Sequence, residues 1–561
     1  MRFSRRSKVS IILSLVTTVV IVCAFMVTMF SHGQATHAAS ASGITGVAST
    51  AVKATTIDPL KLSKSQGASG ANHAIPYRSV HVNSASIRSG NGPHAAGILA
   101  NTSSHLLHNF NGVSTVDSAN VNGFDVEPPD QGLCVGNGFV MEPVNAAITI
   151  YHPNGIVIAG PLNESAFFGE EQEFTTADVS VQGDARCYFD KATNTFFATQ
   201  LFLTTAAISN VSHFDVAVNT SGNPTTPWTV FRFDTTDLAN AGCPCFGDQP
   251  LFGIDQQNIY ISTNEFSILG PNFNGAQVYA ISKSQIEAGG TVHFVHFTNL
   301  GIGGAIAASI EPAITNDSNA KAEFFLNALD PNATFDNRIG VWAMTNRQVV
   351  STGGIPNFSN VLITSEAYGQ PPLATDPSGF SINTDDDRML QVQYINGQLW
   401  SSNDTAITVP GDSHVRSGAA WYEIHPRLNG QLIGNASVTD QGYVFSNGNY
   451  LLYPAVVAAP DGNAAMTMTL MGPGTFASAV YATRPASSGH HDFSSPKVAA
   501  YGVTADNGFT CAAGAAVCRW GDYSAAVIDP AGGGIWLATE YIPGTGNANA
   551  DWGTRVFEVQ A

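Results

Sequence analysis

The feature that most restricts this chain is a hairpin unit that recurs seven times beyond residue 105. In each copy an apolar strand meets a turn and then a second strand holding an aromatic residue. The copies cover 131–145, 184–202, 248–266, 311–329, 389–406, 453–471 and 522–541, with starts 53, 64, 63, 78, 64 and 69 residues apart. A third strand follows each, beginning at Ile148, Phe214, Ala276, Ile339, Ala420, Ser478 and Thr554. The turns inside the hairpins are rich in Asp, Asn and Gly, residues that tolerate positive φ.

A sheet of three or four antiparallel strands cannot bury both of its faces alone. Packing seven such sheets radially buries them and leaves few exposed edges. The expected fold is therefore all-β: a β-propeller of seven antiparallel blades over residues 105–561, with six or eight blades as the alternatives. Two stacked β-sandwiches would match the strand count but not the sustained period. The last copy reaches Ala561 after three strands, so the stretch starting at Leu106 (LHNFNGVS) is expected to supply the missing outer strand. Gly (54 residues) and Pro (28) favour short strands and turns over helices.

The chain's start reads as an address. Arg5, Arg6 and Lys8 precede an uncharged run from Val9 to Phe30, followed by Ala39-Ser40-Ala41. Residues 1–41 are expected to be a secretory signal peptide, or else an uncleaved N-terminal anchor, which would be the only membrane attachment. Residues 42–104 are rich in Ser, Ala, Gly and His without apolar periodicity and read as a flexible linker. Both readings of the first segment place the body outside the cytoplasm, secreted or at the cell surface. Beyond the signal the cysteines are Cys134, Cys187, Cys243, Cys245, Cys511 and Cys518, an even set that suits disulfides in an exported chain. Cys511 and Cys518 bracket a short Ala/Gly loop and are the expected pair. The connectivity of the other four stays open.

Charge is divided unevenly. Residues 1–104 hold nine bases and one acid, Asp58; from His105 onward 41 acids face 14 bases, a net of -27. Such a body repels phosphate backbones, which argues against a nucleic-acid partner.

The stretches beginning at Pro128 (PPDQGLCVGNGF), Cys187 (CYFDKATNTFF), Gly247 (GDQPLFGIDQQNIYISTNEF), Asp387 (DRMLQVQYINGQLW) and Arg519 (RWGDYSAAVIDP) carry a resemblance. They are similar to a largely uncharacterised family of exported bacterial β-propeller proteins. That resemblance implies a propeller and a secreted address but no reaction. More distantly, the blades resemble sialidase-like propellers. The turn from Thr220 to Trp228 is similar to their Asp-box, but Gly222 or Asn223 stands at the Asp position.

Hydrolase and nucleotide-binding signatures such as G-x-S-x-G, H-E-x-x-H and the P-loop are missing from the sequence. The repeats supply a different signal. A carboxylate stands at or just before the first strand in six of the seven copies: Asp130, Asp184, Asp248, Glu311, Asp387 and Asp522. First strands of blades line a central channel, so these groups are expected to converge at one mouth with Arg186, Arg388, Arg519 and Tyr523. Like charges in one ring repel unless a cation or arginine compensates. Hard oxygens from Asp184, Asp248 and Asp522 would suit Ca²⁺, the one cofactor considered. Without a cation, the same ring would form a polar pocket for a hydroxyl-rich or cationic ligand, and each Asp alone would also suit turn capping.

The expected function is binding of an extracellular glycan or protein at this acidic mouth by a monomer, without catalysis. The alternative is a glycosidase of the sialidase-like type, using Asp and Glu at the same mouth. For it, Glu142, Glu265, Glu540 and Asp404 stand near the ends of second strands. Glu540-Tyr541 beside Arg519 resembles the Glu, Tyr nucleophile and arginine clamp of sialidases.

Overall fold

Each of the seven hairpin copies is the inner half of a four-stranded antiparallel sheet in the computed structural model. The structure describes residues 44–62, 72–75, 78–80, 82, 92–94, 104–170, 180–206, 209–238, 240, 242–486, 492–512, 517–544 and 551–560. The expected signal segment and His490-His491 lie outside them.

The inner strands are Cys134–Gly136, Ser180–Asp190, Cys245–Ile254, Glu311–Thr315, Gln391–Ile395, Tyr450–Ala458 and Ala525–Ile528. They belong to sheets numbered 1 to 7 here. Strand makes up 57% of the structure and helix 7%, which fixes the class as mainly β. The turns follow from their residues: in Asn137-Gly138 and Asn396-Gly397 both central positions have positive φ, the arrangement that matches strand twist. In longer turns an Asp accepts bonds from the following backbone, as Asp255 does from the amides of Gln257 (2.6 Å) and Asn258 (2.8 Å).

The sheets pack face to face in chain order. Phe196, Ala198 and Trp228 of sheet 2 meet Met141 and Ile148 of sheet 1. Further apolar layers lie between sheets 2 and 3, 3 and 4, 4 and 5, 5 and 6, and 6 and 7. The series returns on itself: Trp536, Ala538 and Val556 of sheet 7 pack with Val135, Val140 and Tyr151 of sheet 1. The inner strands follow the same order. Cys245–Ile254 pairs in parallel with Glu311–Thr315, which pairs with Gln391–Ile395, and Ala525–Ile528 lies beside Cys134–Gly136.

The outer strand of sheet 7 is His105–Ser114, paired antiparallel with Gly553–Gln560, as the Leu106 stretch suggested. Buried Glu142 of sheet 1 holds that strand in place by accepting from the Val113 amide (2.9 Å).

The segment read as a linker is ordered in part. Val47–Ala51 pairs with Val292–Phe297 at the edge of sheet 3, and Lys53–Ile57 pairs with Trp228–Asp234 at the edge of sheet 2. An added edge strand is held by backbone bonds and leaves most of its side chains in solvent, so it needs no apolar alternation. Four of the five residues in Val47–Ala51 are exposed.

Three disulfides form: Cys511–Cys518, the expected pair, together with Cys134–Cys187 and Cys243–Cys245. Cys134–Cys187 links the inner strands of sheets 1 and 2. These bonds are compatible with an extracellular protein.

Candidate functional site: an acidic ring where the inner strands begin

Within or just before each inner strand the backbone makes one left-handed kink. The seven residues are Asp130, Asp184, Gln249, Ser309, Asp385, Tyr453 and Gly521, with φ between 43° and 56°. Six of them carry a Cβ, so the kinks are strained and must be held from outside. At three of them a polar residue at the end of the second strand of the preceding sheet does this, while the Asp385 amide donates to Asn383 Oδ1 (2.7 Å). Asn145 Oδ1 accepts from the Asp184 amide (2.9 Å) and Asn264 Oδ1 from the Ser309 amide (2.9 Å). Both oxygens of Asp404 accept from the Tyr453 amide (3.0 Å each). At Gly521 only glycine fits, because a Cβ would lie 2.4 Å from Glu540 Oε1. The kinks of Asp130, Asp184 and Asp385 bring their carboxylates towards a common region.

There the carboxylates meet. Single oxygens of Asp130, Asp184 and Asp522 lie within 4.8 Å of one another. Arg519 grips Asp522 with two bonds of 2.9 Å. Arg388 grips Asp386 in the same way (2.8 and 2.7 Å), approaches Asp385 at 3.4 Å and reaches Gln249 of sheet 3. The Arg186 guanidinium lies over the Tyr523 ring, 3.3 Å from its centroid. Arg78 contacts Asp248 at 3.4 Å.

Burial raises the proton affinity of the acids, and their mutual repulsion adds to it. Burial takes Asp184 to about 7, with Asp248 and Asp522 adding to the shift and Arg186 and Arg78 opposing it. Burial likewise takes Glu311 to about 8 against the pull of Arg186 and Arg388. Asp130 is pushed well up by burial and then by Asp522 and Asp184. Glu540 is pushed up by burial and then by Asp130 and Asp522. The ring is incompletely satisfied: Asp130 Oδ1, Glu311 Oε2, Asp385 Oδ1, Glu540 Oε2 and Arg186 Nε and Nη2 are buried without a hydrogen-bond partner in the protein.

Nine of the residues picked from the repeats share this environment: Asp130, Asp184, Arg186, Asp248, Glu311, Arg388, Arg519, Asp522 and Tyr523. Asp387 does not. Burial raises its proton affinity, and besides the adjacent Asp386 the neighbours that add to the shift are Asp330 and Asp336, outside the ring. Its place is taken by Asp385, two residues earlier, because the kink of sheet 5 falls there. Asp385, Asp386 and Asp387 are all buried.

For a cation, the closest oxygen triad combines Asp130 with Asp184 and Asp522, while Asp248 faces Arg78. Oxygen donors of this kind fit Ca²⁺. Sequence reasoning missed Arg78 and Ile75, which lie outside every repeat. It also missed Asp385 and Tyr453, whose signal is the kink position.

The strand-end acids do not gather. Glu142 serves the closing strand, Asp404 caps a kink, and Glu265 accepts from Thr263 (2.8 Å); only Glu540 reaches the ring. Tyr541 points away from Glu540, as successive strand residues must, and donates to Asn111 Oδ1 (2.5 Å). Trp520 and Tyr523 are 2% and 0% exposed, so neither ring offers a face to a sugar. In the turn from Thr220 to Trp228, Trp228 is buried and Asn219 and Asn223 make the internal bonds.

A cavity of about 950 Å³ lies elsewhere, where the inner strands end. Asp190, Lys283, Gln393 and Asp529 line it. Asp184 and Asp190 are six residues apart on one strand, roughly 20 Å along it.

No protein-family model matches the chain, and no curated protein matches it. Among solved structures, Trypanosoma rangeli sialidase in complex with sialic acid aligns at 10% identity and a TM-score of 0.34, covering 76% of this chain and 59% of the sialidase chain. A Dyadobacter fermentans protein of unknown function aligns at 12% identity and 0.30, covering 69% and 99%. Penicillium chrysogenum α-L-arabinanase complexed with arabinobiose aligns at 11% and 0.30, covering 67% and 92%. The chain spans under three-fifths of the length of the sialidase chains it matches. These likenesses are distant, and nothing about the chemistry of the chain follows from them.

Proposed function

We propose that the chain is an exported, seven-bladed β-propeller that binds an extracellular ligand, a glycan or a protein, at its acidic channel mouth. The cyclic order of sheet packing and the returning layer between sheets 7 and 1 support the blade number. The observation that carries the ligand site is the set of buried, unpartnered carboxylate and guanidinium atoms around one ring. Each such atom costs roughly 1–3 kcal/mol, more when charged. A ligand that supplies the missing partners recovers that cost on binding. Membership of the exported propeller family and a monomeric state complete the proposal.

A second reading is favoured by one arrangement. Asp130 and Glu540, with raised proton affinity, stand beside an Asp522 clamped by Arg519. A protonated acid next to a carboxylate held by arginine is the division of roles used in glycoside hydrolysis. Tyr541 takes no part in it.

One experiment separates the two. The purified protein and its Asp184→Asn and Asp522→Asn variants are tested on a glycan array, on a panel of cationic and neutral peptides, and with chromogenic glycosides including sialosides. Binding lost in the variants, without turnover, is expected. Turnover abolished in the variants would replace binding with catalysis, and no binding by the native chain would remove the proposal.

A further inference from the structure

Part of the N-terminal segment lies across the acidic mouth. His73–Ala74 pairs in parallel with Val126–Glu127, through amide bonds from His73 to the Asp125 carbonyl (2.8 Å) and from Ile75 to the Glu127 carbonyl (2.7 Å). Ile75 is buried with Phe124, Val126 and Ala146. Its own carbonyl accepts from Arg519 Nε at 3.1 Å, on the guanidinium that clamps Asp522. Three residues on, Arg78 reaches Asp248 at 3.4 Å and lies over the Phe246 ring, 4.5 Å from its centroid. Ser79 donates to Asn332 Oδ1 (3.3 Å), and Asn332 donates back to the Val80 carbonyl. Val80 is fully buried among Leu203, Phe246, Phe266, Ala305 and Ala308.

The segment thus runs from Arg519 in repeat 7 to Asp248 in repeat 3 and Asn332 in repeat 4. Its means of attachment are those of a bound peptide: main-chain pairing with an edge, a carbonyl on an arginine, a guanidinium on a carboxylate over an aromatic face, and an apolar anchor at each end. The charge balance agrees, because residues 44–104 carry five bases (Lys53, Lys61, Lys64, Arg78 and Arg88) and one acid (Asp58), opposite in sign to the body. Four arginines (Arg78, Arg186, Arg388 and Arg519) stand among eight acids (Asp130, Asp184, Asp248, Glu311, Asp385, Asp386, Asp522 and Glu540). Arg78 is the one that comes from outside the repeats.

We infer that residues 72–75 and 78–80 are a built-in occupant of the mouth, and that its external ligand is a peptide presenting an arginine two residues before an apolar one. This rests on the reading of the mouth as a ligand site and assigns the ligand's class. An external peptide binds when the internal segment leaves. A tethered segment competes at an effective concentration near millimolar, so the native chain resists trans ligands.

The test uses the complete exported chain and a fluorescent synthetic peptide spanning residues 72–82 as the probe. Two variants weaken the internal segment: Arg78→Ala alone, and Arg78→Ala with Val80→Asp. Near-UV circular dichroism checks that each retains native packing, and the single variant keeps Val80 buried should the double variant fail to fold. Both variants are expected to bind the probe at least tenfold more tightly than the native chain. A probe carrying Arg78→Gln should bind at least tenfold more weakly, and raised salt should weaken the arginine probe. Equal binding by native chain and variants, or indifference to the Arg78→Gln change, overturns the inference. Variants that capture a glycan but not the probe overturn the inference and leave the ligand site standing. Variants that capture neither overturn both.

Discussion

The two ends of the inner strands differ in how they treat their charges. At the far end, around the 950 Å³ cavity, each acid has a local partner. Asp190 pairs with Lys283 (2.8 Å), and Asp255 accepts from Tyr260 (2.9 Å) and two turn amides and pairs with Arg347. Asp529 accepts from the Ala531 amide (2.8 Å). At the acidic ring carboxylates crowd together with several atoms unpartnered. The far end is built as a set of satisfied turns, whereas the ring crowds buried charge at a cost in stability.

That contrast predicts opposite responses to substitution. The largest effect is expected at the staple joining sheets 1 and 2. Cys134→Ser with Cys187→Ser opens a loop of 53 residues and should lower stability by about 4 kcal/mol in denaturant unfolding, with ligand affinity unchanged in the surviving folded protein. Loss of affinity with little loss of stability would invert the assignment of the two ends.

Next in size is the response to a cation. With Asp130, Asp184 and Asp522 as ligands, millimolar Ca²⁺ should raise the thermal midpoint over that in EDTA, and Asp130→Asn should abolish the rise. Saturation at a hundred times Kd corresponds to about 2.7 kcal/mol. An unchanged midpoint leaves arginine pairing alone as the compensation for the ring.

The smallest effect has an unusual sign. Burial raises folded-state proton affinity at Asp184 (about 7) and Glu311 (about 8), and also at Glu142, Glu164 and Glu265. The folded state then holds more protons than the unfolded chain from about pH 4 to 8, so its stability falls as pH rises through that window. The urea midpoint should be higher at pH 5 than at pH 8. Asp184→Asn with Glu311→Gln should raise stability at pH 8 by about 1–2 kcal/mol and flatten the decline, since a tenfold change in proton affinity corresponds to about 1.4 kcal/mol. A midpoint that climbs from pH 5 to pH 8 would refute the charge crowding.

Much of this architecture is written in local pattern. The seven hairpins are legible because turn chemistry and apolar runs recur, and the Leu106 stretch because a four-stranded sheet lacking one strand demands a closing partner. Most ring residues follow from the same repeat, since Asp130, Asp184, Asp248 and Asp522 sit where each inner strand begins. The miss at Asp387 shows the resolution of that reasoning. In Asp385-Asp386-Asp387 three adjacent acids compete for one position, and the left-handed kink at Asp385 decides between them.

By itself, then, the sequence determined the repeat, the β class, the acidic body and the level along each strand at which carboxylates stand, because these depend on neighbours in the chain. Tertiary structure alone decided the rest. Val47–Ala51 and Lys53–Ile57 became edge strands through backbone bonds that any side chains permit. Arg78 and Ile75 came to lie over the ring through contacts with residues 170 and 444 positions away, a distance no local pattern encodes. The acids' affinity for protons arose only when folding removed them from water and set them side by side.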